Sequence, residues 1–393
     1  MPDPSRYEDF DLLVRLRQAG PLFDLLREAR GPELHVQRRL RRDFPEDLVR
    51  AAVALEELRR KAAGKFSRAE SMWLDRQGLE QATAEAVSRH KALRFGAAPV
   101  RDLCCGIGGD ALALAERCRV VAVDRDPAAC LRTTWNAEVY GVRERVSAVC
   151  ADARSIGMRG ALVHIDPDRR AGGQRRSVRL EDAEPGLDFL TQLIDDARGG
   201  AIKLSPAANF GGRFPQAEIE LVSLDGECKE ATVWFGELGE PGLWRATVLP
   251  AGETIAGDPL SAAAEVVGPG QFVYDPDPAI VRAGLVDLLA VDLGLERLDE
   301  SEEYLTSDAL VASPFVRPFE ILAELANNPR EIRQSVREHG FGQIEIKARH
   351  IPIDAEAIRR RLPLEGREPG VLILARLRGK ARVLLCRRAG SPA

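Results

Sequence analysis

Acidic residues recur at the ends of four short apolar stretches in this sequence. Asp102 lies just inside the end of the first stretch, and Asp124 ends the second. Asp152 follows the third stretch, and Asp166 follows the fourth. If the stretches are parallel strands, their carboxyl ends meet at the sheet edge where doubly wound folds bind ligands. The four carboxylates would then line one ligand site.

A glycine-rich turn follows the first of these stretches. Gly106, Gly108 and Gly109 separate the strand-like residues 100–104 from the helix-forming run 110–116. Glycine permits a sharp turn and lets a ligand approach the main chain closely. The helix that begins there offers free N–H groups to a polar ligand. A strand, a glycine turn and a helix in this order are typical of the first βα unit of a nucleotide-binding domain.

Two nucleotides fit this turn. Gly106-x-Gly108-x-x-Ala111 satisfies the dinucleotide fingerprint, so NAD remains an alternative. Asp102 favours S-adenosylmethionine, because a carboxylate inside the strand end suits the cationic methionine end of that cofactor. The same carboxylate would be badly placed beside a pyrophosphate. The adjacent Gly108 and Gly109 tighten the turn further, which also favours S-adenosylmethionine.

The rest of the chain divides into segments that would hold this site. Residues 1–95 carry apolar residues at helical spacing and predict a helical segment. Residues 96–250 predict a mostly parallel sheet that ends in a hairpin of 232–238 and 244–249. A connecting region, 251–312, includes a predicted helix at 279–293. The last segment, 313–393, predicts helices at 318–325 and 329–339 and strands at 343–348, 371–377 and 381–386.

Three motifs resemble the class I methyltransferases. They are Asp102-x-x-Cys105-Gly106-x-Gly108-Gly109, Val123-Asp124-x-Asp126-Pro127 and the run from Asn136 to Val142. They most resemble the trimethylguanosine-synthase (cap guanine-N2) type, as do residues 65–69, 74–79 and 82–83. The whole chain resembles the bacterial methyltransferases with a THUMP-like domain. The resemblance implies an α/β fold: a Rossmann-like, doubly wound, mostly parallel sheet of seven strands, with an N-terminal helical segment and a small C-terminal α+β domain.

The resemblance also implies roles for individual residues. The glycines would cradle the methionine end of S-adenosylmethionine, with Asp102 near its ammonium group. Asp124 would bind the ribose hydroxyls, and Asp152, with Ala153 beside it, would meet the adenine amino group. The full set expected to bind the cofactor is Asp102, Cys104, Gly106, Gly108, Gly109, Asp124, Arg125, Asp152 and Ala153.

The fourth strand end departs from the pattern of that family. Amino-group methyltransferases carry Asp or Asn, two prolines and an aromatic residue there, whereas this chain reads Asp166-Pro167-Asp168-Arg169-Arg170. We expect Asp166, Pro167 and Asp168 to be catalytic, with Asp166 orienting or deprotonating an amine or hydroxyl. Lys203 and Ser205, after the fifth strand, are expected to bind substrate, as are Arg169 and Arg170 by stacking on a base or holding a phosphate. The alternative for 168–170 is a salt-bridged loop.

Composition limits the classes of function. The net charge of −5 excludes a chain that is basic throughout, so any contact with nucleic acid must be local. Residues 330–393 carry 15 Lys and Arg against 7 Asp and Glu, which indicates RNA docking or, alternatively, a charged solubility surface.

Seven cysteines without a C-x-x-C pair and five scattered histidines predict no metal site. Without a membrane-length apolar run or a signal segment, a cytoplasmic protein is expected.

These observations predict an S-adenosylmethionine-dependent methyltransferase that acts on RNA, either tRNA or rRNA. One alternative is a methyltransferase for a small anionic metabolite or a protein. A second is a non-catalytic protein that binds the cofactor or RNA. An NAD-dependent dehydrogenase is the third.

Overall fold

The computed structural model describes residues 5–168, 182–210 and 212–390. The chain forms two compact units, and each is assembled from two stretches of sequence. The first unit comprises Met1–Glu218 and Ala231–Pro241. The second comprises Ile219–Glu230 and Gly242–Ala393.

Helices precede the first strand in the first unit, as the sequence predicts. They are α1 Ser5–Gln18, α2 Gly20–Glu28, α3 Glu33–Leu40, α4 Glu46–Ala62, α5 Arg76–Gln81 and α6 Glu85–Phe95. Helix α4 follows Pro45 and carries Glu46 and Asp47 in its first turn, where acidic side chains complement the helix dipole. Buried apolar residues such as Leu22, Val49 and Leu55 attach these helices to the main core.

The first unit also contains the predicted parallel sheet. Its strands are β1 Val100–Leu103, β2 Val120–Asp124, β3 Val146–Cys150, β4 Leu162–Ile165 and β5 Gly199–Leu204, in the order β3-β2-β1-β4-β5. Within this group of five, every neighbouring pair of strands is parallel. Helices α7 Gly109–Ala115, α8 Pro127–Val139 and α9 Leu187–Asp196 alternate with them. This is the doubly wound arrangement, in which the carboxyl ends of β1, β2 and β4 lie side by side.

The end of this sheet differs from the prediction. The later strands are β6 Ala217–Leu224, β7 Glu227–Gly236, β8 Trp244–Leu249 and β9 Glu253–Gly257. The predicted hairpin of 232–238 with 244–249 does not form, because β8 pairs in parallel with β6, while β7 pairs antiparallel with β5. With β9 antiparallel to β8, the sheet has nine strands among the described residues, where the resemblance implied seven.

A seven-stranded sheet lies in the second unit. Its elements are β10 Phe272–Pro276, α10 Pro278–Ala283, α11 Val286–Leu293, β11 Glu296–Arg297, β12 Leu305–Ser307, β13 Val316–Ala326, α12 Pro329–Glu338, β14 Phe341–Ala348, α13 Ala355–Arg359, β15 Glu368–Leu377 and β16 Lys380–Arg388. The strand order is β11-β12-β10-β13-β16-β15-β14. Among the described strands of this sheet, β14 and β15 are the one parallel pair.

Two local predictions for this unit are corrected. Residues 318–325 form a strand rather than a helix, because β13 pairs along its length with β10 and β16. The predicted helix 279–293 is two helices, since Gly284 takes a left-handed φ of +72° and ends α10. Helix α12 and strands β14, β15 and β16 lie where the sequence predicts them.

Candidate functional site

The glycine turn between β1 and α7 has the strained backbone that its sequence indicates. Cys104, Gly106 and Gly108 have φ values of +59°, +55° and +90°. A side chain at position 108 would meet the side chain of Thr133 at 3.1 Å. Thr133 Oγ1 also donates a hydrogen bond to the carbonyl of Gly106 at 2.9 Å, which fixes the turn against α8.

A cavity of 380 Å³ opens beside this turn, at the carboxyl ends of β1, β2 and β4. Eleven of the predicted site residues line it: Asp102, Cys104, Gly106, Gly109, Asp124, Arg125, Asp152, Ala153, Asp166, Pro167 and Asp168. Gly108 lies within the same turn and caps α7. Lys203 and Ser205 are not among the lining residues, and Ser205 Oγ accepts a hydrogen bond from the backbone of Ala207. Arg169 and Arg170 fall outside the described residues.

Asp102 is a buried carboxylate, and one of its two oxygens has no hydrogen-bond partner among the described residues. Its Oδ1 lies 2.6 Å from Nδ1 of His164, and both side chains are 1% exposed. Its Oδ2 has no hydrogen-bond partner in the described part of the chain. Burial raises the pKa of Asp102, and His164 acts against that rise. A buried carboxylate oxygen in a cavity wall is a strong site for a cationic or hydrogen-donating ligand.

Behind Asp102 and His164 the buried charges continue into α6 and α7. Lys91 Nζ lies 3.3 Å from His164 Nε2 and 2.9 Å from Asp110 Oδ1. The hydroxyl of Thr83 donates to the other oxygen of Asp110 at 2.7 Å. Burial alone would raise the pKa of Asp110, but the charges of Lys91 and His164 hold it well below its ordinary value. The sequence analysis missed this network, since a single lysine within a helix carries no signal of burial.

Asp124 receives two backbone N–H groups. They come from Gly106 and Asp126, each at 2.9 Å, so the carboxylate joins the end of β2 to the glycine turn. Burial nevertheless raises its pKa, against these hydrogen bonds.

Asp152 is exposed and caps a short turn. It accepts the backbone N–H of Arg154 at 2.9 Å and the Nε of the same residue at 3.1 Å. The hydrogen bond from the Arg154 side chain is the main cause that lowers the pKa of Asp152. Its position at the cavity is as predicted, but its oxygens are shared with a local cap.

The end of β4 is linked to β5 and α5. Lys203 Nζ lies 2.5 Å from Asp166 Oδ2 and donates to the carbonyl of Gln81 at 3.1 Å. The side-chain amide of Gln81 in turn donates to Asp168 Oδ1 at 3.0 Å. Lys203 therefore reaches the cavity through Asp166, so one predicted substrate-binding residue contacts a predicted catalytic residue. Ser205 is not brought to the cavity.

Residues before β1 form one wall of the cavity, and this was missing from the predicted site. Asp75, Gly78, Gln81 and Thr83 all line it. Gly78 packs so closely on the glycine turn that a Cβ there would lie 2.3 Å from Ile107 Cγ2. The motif at 74–79 was noted only as part of a resemblance, because nothing in its composition indicates that it contacts a ligand.

Comparison with known proteins gives matches over most of the chain. Residues 98–183 match the model of the RNA cap guanine-N2 methyltransferase family, and residues 316–388 match that of THUMP-domain-like proteins. An uncharacterized S-adenosylmethionine-dependent methyltransferase of Mycobacterium tuberculosis, recorded from two strains, is 38% identical over 333 residues, or 81% of this chain and 90% of the relative.

A solved structure extends the likeness in fold to nearly the whole chain. The crystal structure of a candidate methyltransferase from Porphyromonas gingivalis W83 superimposes with a TM-score of 0.75 at 20% identity. The match covers 98% of this chain and 99% of the other. Among the described residues, the structure contains no helix with the length and apolarity that a membrane crossing requires.

Proposed function

This chain belongs to the S-adenosylmethionine-dependent methyltransferases, and we propose that it methylates a base of RNA. The enzyme's cofactor is S-adenosylmethionine. The observation that carries the choice of RNA is the presence, on one chain, of a region similar to RNA cap guanine-N2 methyltransferases and a region similar to THUMP domains.

The cavity beside the glycine turn fits the cofactor. Asp102 Oδ2 is a buried oxygen without a partner in the described residues, and it suits the ammonium of the methionine end. A Cβ at Gly106 would meet no atom within 4 Å, so the main chain of the turn is open to a ligand. Asp124 would accept hydrogen bonds from the ribose hydroxyls, and Asp152 with Ala153 would contact the adenine.

The bound cofactor supplies a methyl group on a sulfonium centre that is already electrophilic. The residues of this chain therefore have to bind, orient and exclude water rather than activate the methyl donor. The segment at 75–83, which forms one wall of the cavity, would exclude water from the bound cofactor.

The proposed substrate side is the end of β4. Asp166 would accept a hydrogen bond from the target amine and align its lone pair with the methyl group. Lys203 orients Asp166 through the 2.5 Å contact between Nζ and Oδ2. Asp168, held by Gln81 at 3.0 Å, would be the second acceptor. Both carboxylates can take up the proton that the amine loses.

The docking surface for RNA would lie in the second unit. The excess of Lys and Arg in 330–393 suits a phosphate backbone. Part of this excess is already neutralised, because Arg382 pairs with Glu324 and Arg387 with Glu320. The exposed arginines of α12, namely Arg330, Arg333 and Arg337, have no acidic partner in the described residues closer than 4 Å. They are the strongest candidates for contacts with phosphate.

The direct test is transfer of a labelled methyl group from S-adenosylmethionine to separate pools of tRNA, rRNA, protein and small metabolites. Label in one RNA pool, removed by ribonuclease and abolished by Asp166→Asn, would support the proposal. A matched control is Asp188→Asn on the exposed start of α9, which should leave transfer unchanged. Label only in protein or metabolites would refute RNA as the substrate while keeping the methyltransferase assignment.

A further inference from the structure

Three potential metal ligands come together in the second unit, and none of them belongs to the proposed active site. Glu302 and Glu303 lie between β11 and β12, and His350 lies just after β14. One ligand atom from each side chain lies within 4.8 Å of the other two. That spacing allows all three atoms to bind one ion.

Glu302 has an unsatisfied carboxylate. The residue is 0% exposed, and its Oε1 accepts the backbone N–H of Arg376 at 2.7 Å. Its Oε2 is buried and has no hydrogen-bond partner among the described residues. Burying half of a carboxylate without a partner is costly, so this oxygen is a site at which a cation would be stabilising.

The nearby guanidinium groups are directed elsewhere. Arg297 Nη1 lies 2.9 Å from Asp287, and Arg349 Nη2 lies 2.6 Å from Asp275. Arg297 does reach Glu302, but at the backbone carbonyl and not at the carboxylate. The carboxylate of Glu302 thus faces Glu303 and His350 rather than an arginine.

The potential ligand atoms of Glu303 and His350 lie next to each other. His350 Nε2 lies 2.7 and 2.9 Å from the two carboxylate oxygens of Glu303. The side chains of His350 and Glu303 are 47% and 22% exposed, so an ion and its water ligands can reach them from solvent. The site therefore has a buried side, formed by Glu302, and an open side.

We propose that Glu302, Glu303 and His350 bind a divalent first-row metal ion, with Zn²⁺ as the best chemical match. Zn²⁺ binds imidazole nitrogen and carboxylate oxygen, and three protein ligands leave a position for water. A site that includes an imidazole favours Zn²⁺ over Mg²⁺ and Ca²⁺, which prefer oxygen ligands alone. On binding, His350 Nε2 gives up its proton to solvent and donates its lone pair to the ion.

The ion would connect parts of the sheet that the strand order separates. Strands β11 and β12 stand at one end of the order and β14 at the other. Glu302 and Glu303 belong to the connection beside β12, whereas His350 follows β14. The ion's role would accordingly be to stabilise the second unit, independently of methyl transfer.

Calorimetry of the chelator-treated, full-length protein with Zn²⁺ tests this site. We expect one equivalent to bind, and we expect His350→Ala and Glu303→Gln each to weaken binding by about tenfold or more. Matched controls are Glu300→Gln, an exposed neighbour, and His35→Ala on the exposed face of α3. Both controls should bind Zn²⁺ as the parent protein does. Mg²⁺ and Ca²⁺ should bind far more weakly than Zn²⁺.

Thermal unfolding provides the second readout. Zn²⁺ should raise the melting temperature of the parent protein, because it binds the folded state. Glu302→Gln removes the buried charge without changing its shape, so the metal-free variant should fold at least as well as the parent yet gain nothing from Zn²⁺. Absence of Zn²⁺ binding by the parent protein, or unchanged binding and melting in His350→Ala and Glu302→Gln, would overturn the proposal.

Discussion

Nδ1 of His164 lies 2.6 Å from Oδ1 of Asp102 at the floor of the cavity, with both side chains almost fully buried. This contact joins a strand-end carboxylate, which sequence analysis singled out, to a histidine that has no recognisable motif. It leaves the second oxygen of Asp102 available to a ligand.

The pH dependence of cofactor binding should report Asp102. Burial raises the pKa of this carboxyl, and only the ionised form attracts the ammonium of the cofactor. Affinity should therefore fall as the pH falls through that raised pKa, at a higher pH than an exposed aspartate would produce. In His164→Asn the contact that lowers this pKa is removed, so the loss should begin at a still higher pH. Calorimetry with S-adenosylhomocysteine across a pH series measures both curves.

The variant Asp102→Asn is the control for this titration. It should bind the cofactor about 10 to 100 times more weakly, the effect of one charge-assisted hydrogen bond. Its residual affinity should not follow the same titration. Because the pKa of Asp102 is raised in the folded protein, ionised Asp102 lowers the free energy of unfolding at pH values above that pKa. Below the ordinary value of 3.8 the carboxyl is protonated in both the folded and the unfolded protein, and this cost is absent. The cofactor-free variant should thus be no less stable than the parent at pH 7. Identical pH curves for the parent and His164→Asn would contradict the assignment.

Removing Lys91 should destabilise the protein strongly. Lys91→Met leaves the buried Asp110 without its cation, a change that costs about 3–5 kcal/mol of unfolding free energy. Because the pKa of Asp110 is held below its ordinary value, the stability this pair contributes is present above pH 3.8 and is lost as the pH falls through the lowered pKa. Urea unfolding at pH 7 checks the loss. Adding Asp110→Asn to Lys91→Met should recover part of it, and a further loss in that double variant would refute the pairing.

Asp124→Ala should abolish measurable cofactor binding. It removes the proposed acceptor for the ribose hydroxyls and also the carboxylate that accepts the N–H groups of Gly106 and Asp126. Asp124→Asn keeps one acceptor oxygen and should retain an intermediate affinity. Calorimetry with S-adenosylmethionine ranks the three proteins, and equal affinity in all of them would exclude a role in binding.

Lys203→Met should slow methyl transfer while sparing cofactor binding. Without Lys203, Asp166 loses its 2.5 Å partner and with it the orientation proposed for contact with the target amine. We expect kcat to fall by about 100-fold, as is usual when a proton acceptor is misplaced, with the cofactor Kd within about twofold of the parent value. Lys229→Met, which breaks an exposed pair with Glu227, is the matched control. An equal fall in kcat for both variants would show that the effect is not specific to the site.

Charge reversal on α12 should weaken RNA binding. Arg333→Glu with Arg337→Glu removes two exposed cations from the second unit. The slope of log affinity against log salt should become shallower by about 0.7–0.9 for each phosphate contact that is lost. Cofactor affinity should not change. The exposed Arg159→Glu in the first unit is the control, and equal RNA affinity in the double variant and the parent would exclude this surface.

The first βα unit was predictable because its residue types are dictated locally. A left-handed turn requires glycine at 106 and 108, and a buried strand requires the apolar run before it. The pairing of β8 with β6 was not predictable, because the alternation of apolar and polar residues along a strand does not determine which other strand it pairs with. The prediction of a helix at 318–325 was wrong for a related reason. The apolar positions of this segment fit helical spacing, and the segment is a strand because it pairs with β10 and β16.

In the candidate site too, some residues could be predicted from the sequence and others could not. Asp102, Asp124 and Asp166 stand at strand ends, so their convergence follows from topology alone. Lys91, Asp110 and Gln81 come from helices, and their positions at the site depend on how those helices pack. Such packing is a tertiary property that no single stretch of sequence records.

The close fit of Gly78 against Ile107 has a practical consequence for dissecting this enzyme. Residues 75–83 precede β1 in the sequence, yet they form one wall of the cavity at the end of β1. A fragment trimmed to begin at residue 96 would keep every strand-end aspartate and still leave the cavity open to water. The smallest unit that keeps the proposed cofactor cavity intact therefore starts upstream of the sheet, and a search for homologous catalytic cores by the glycine motif alone would draw that boundary too late.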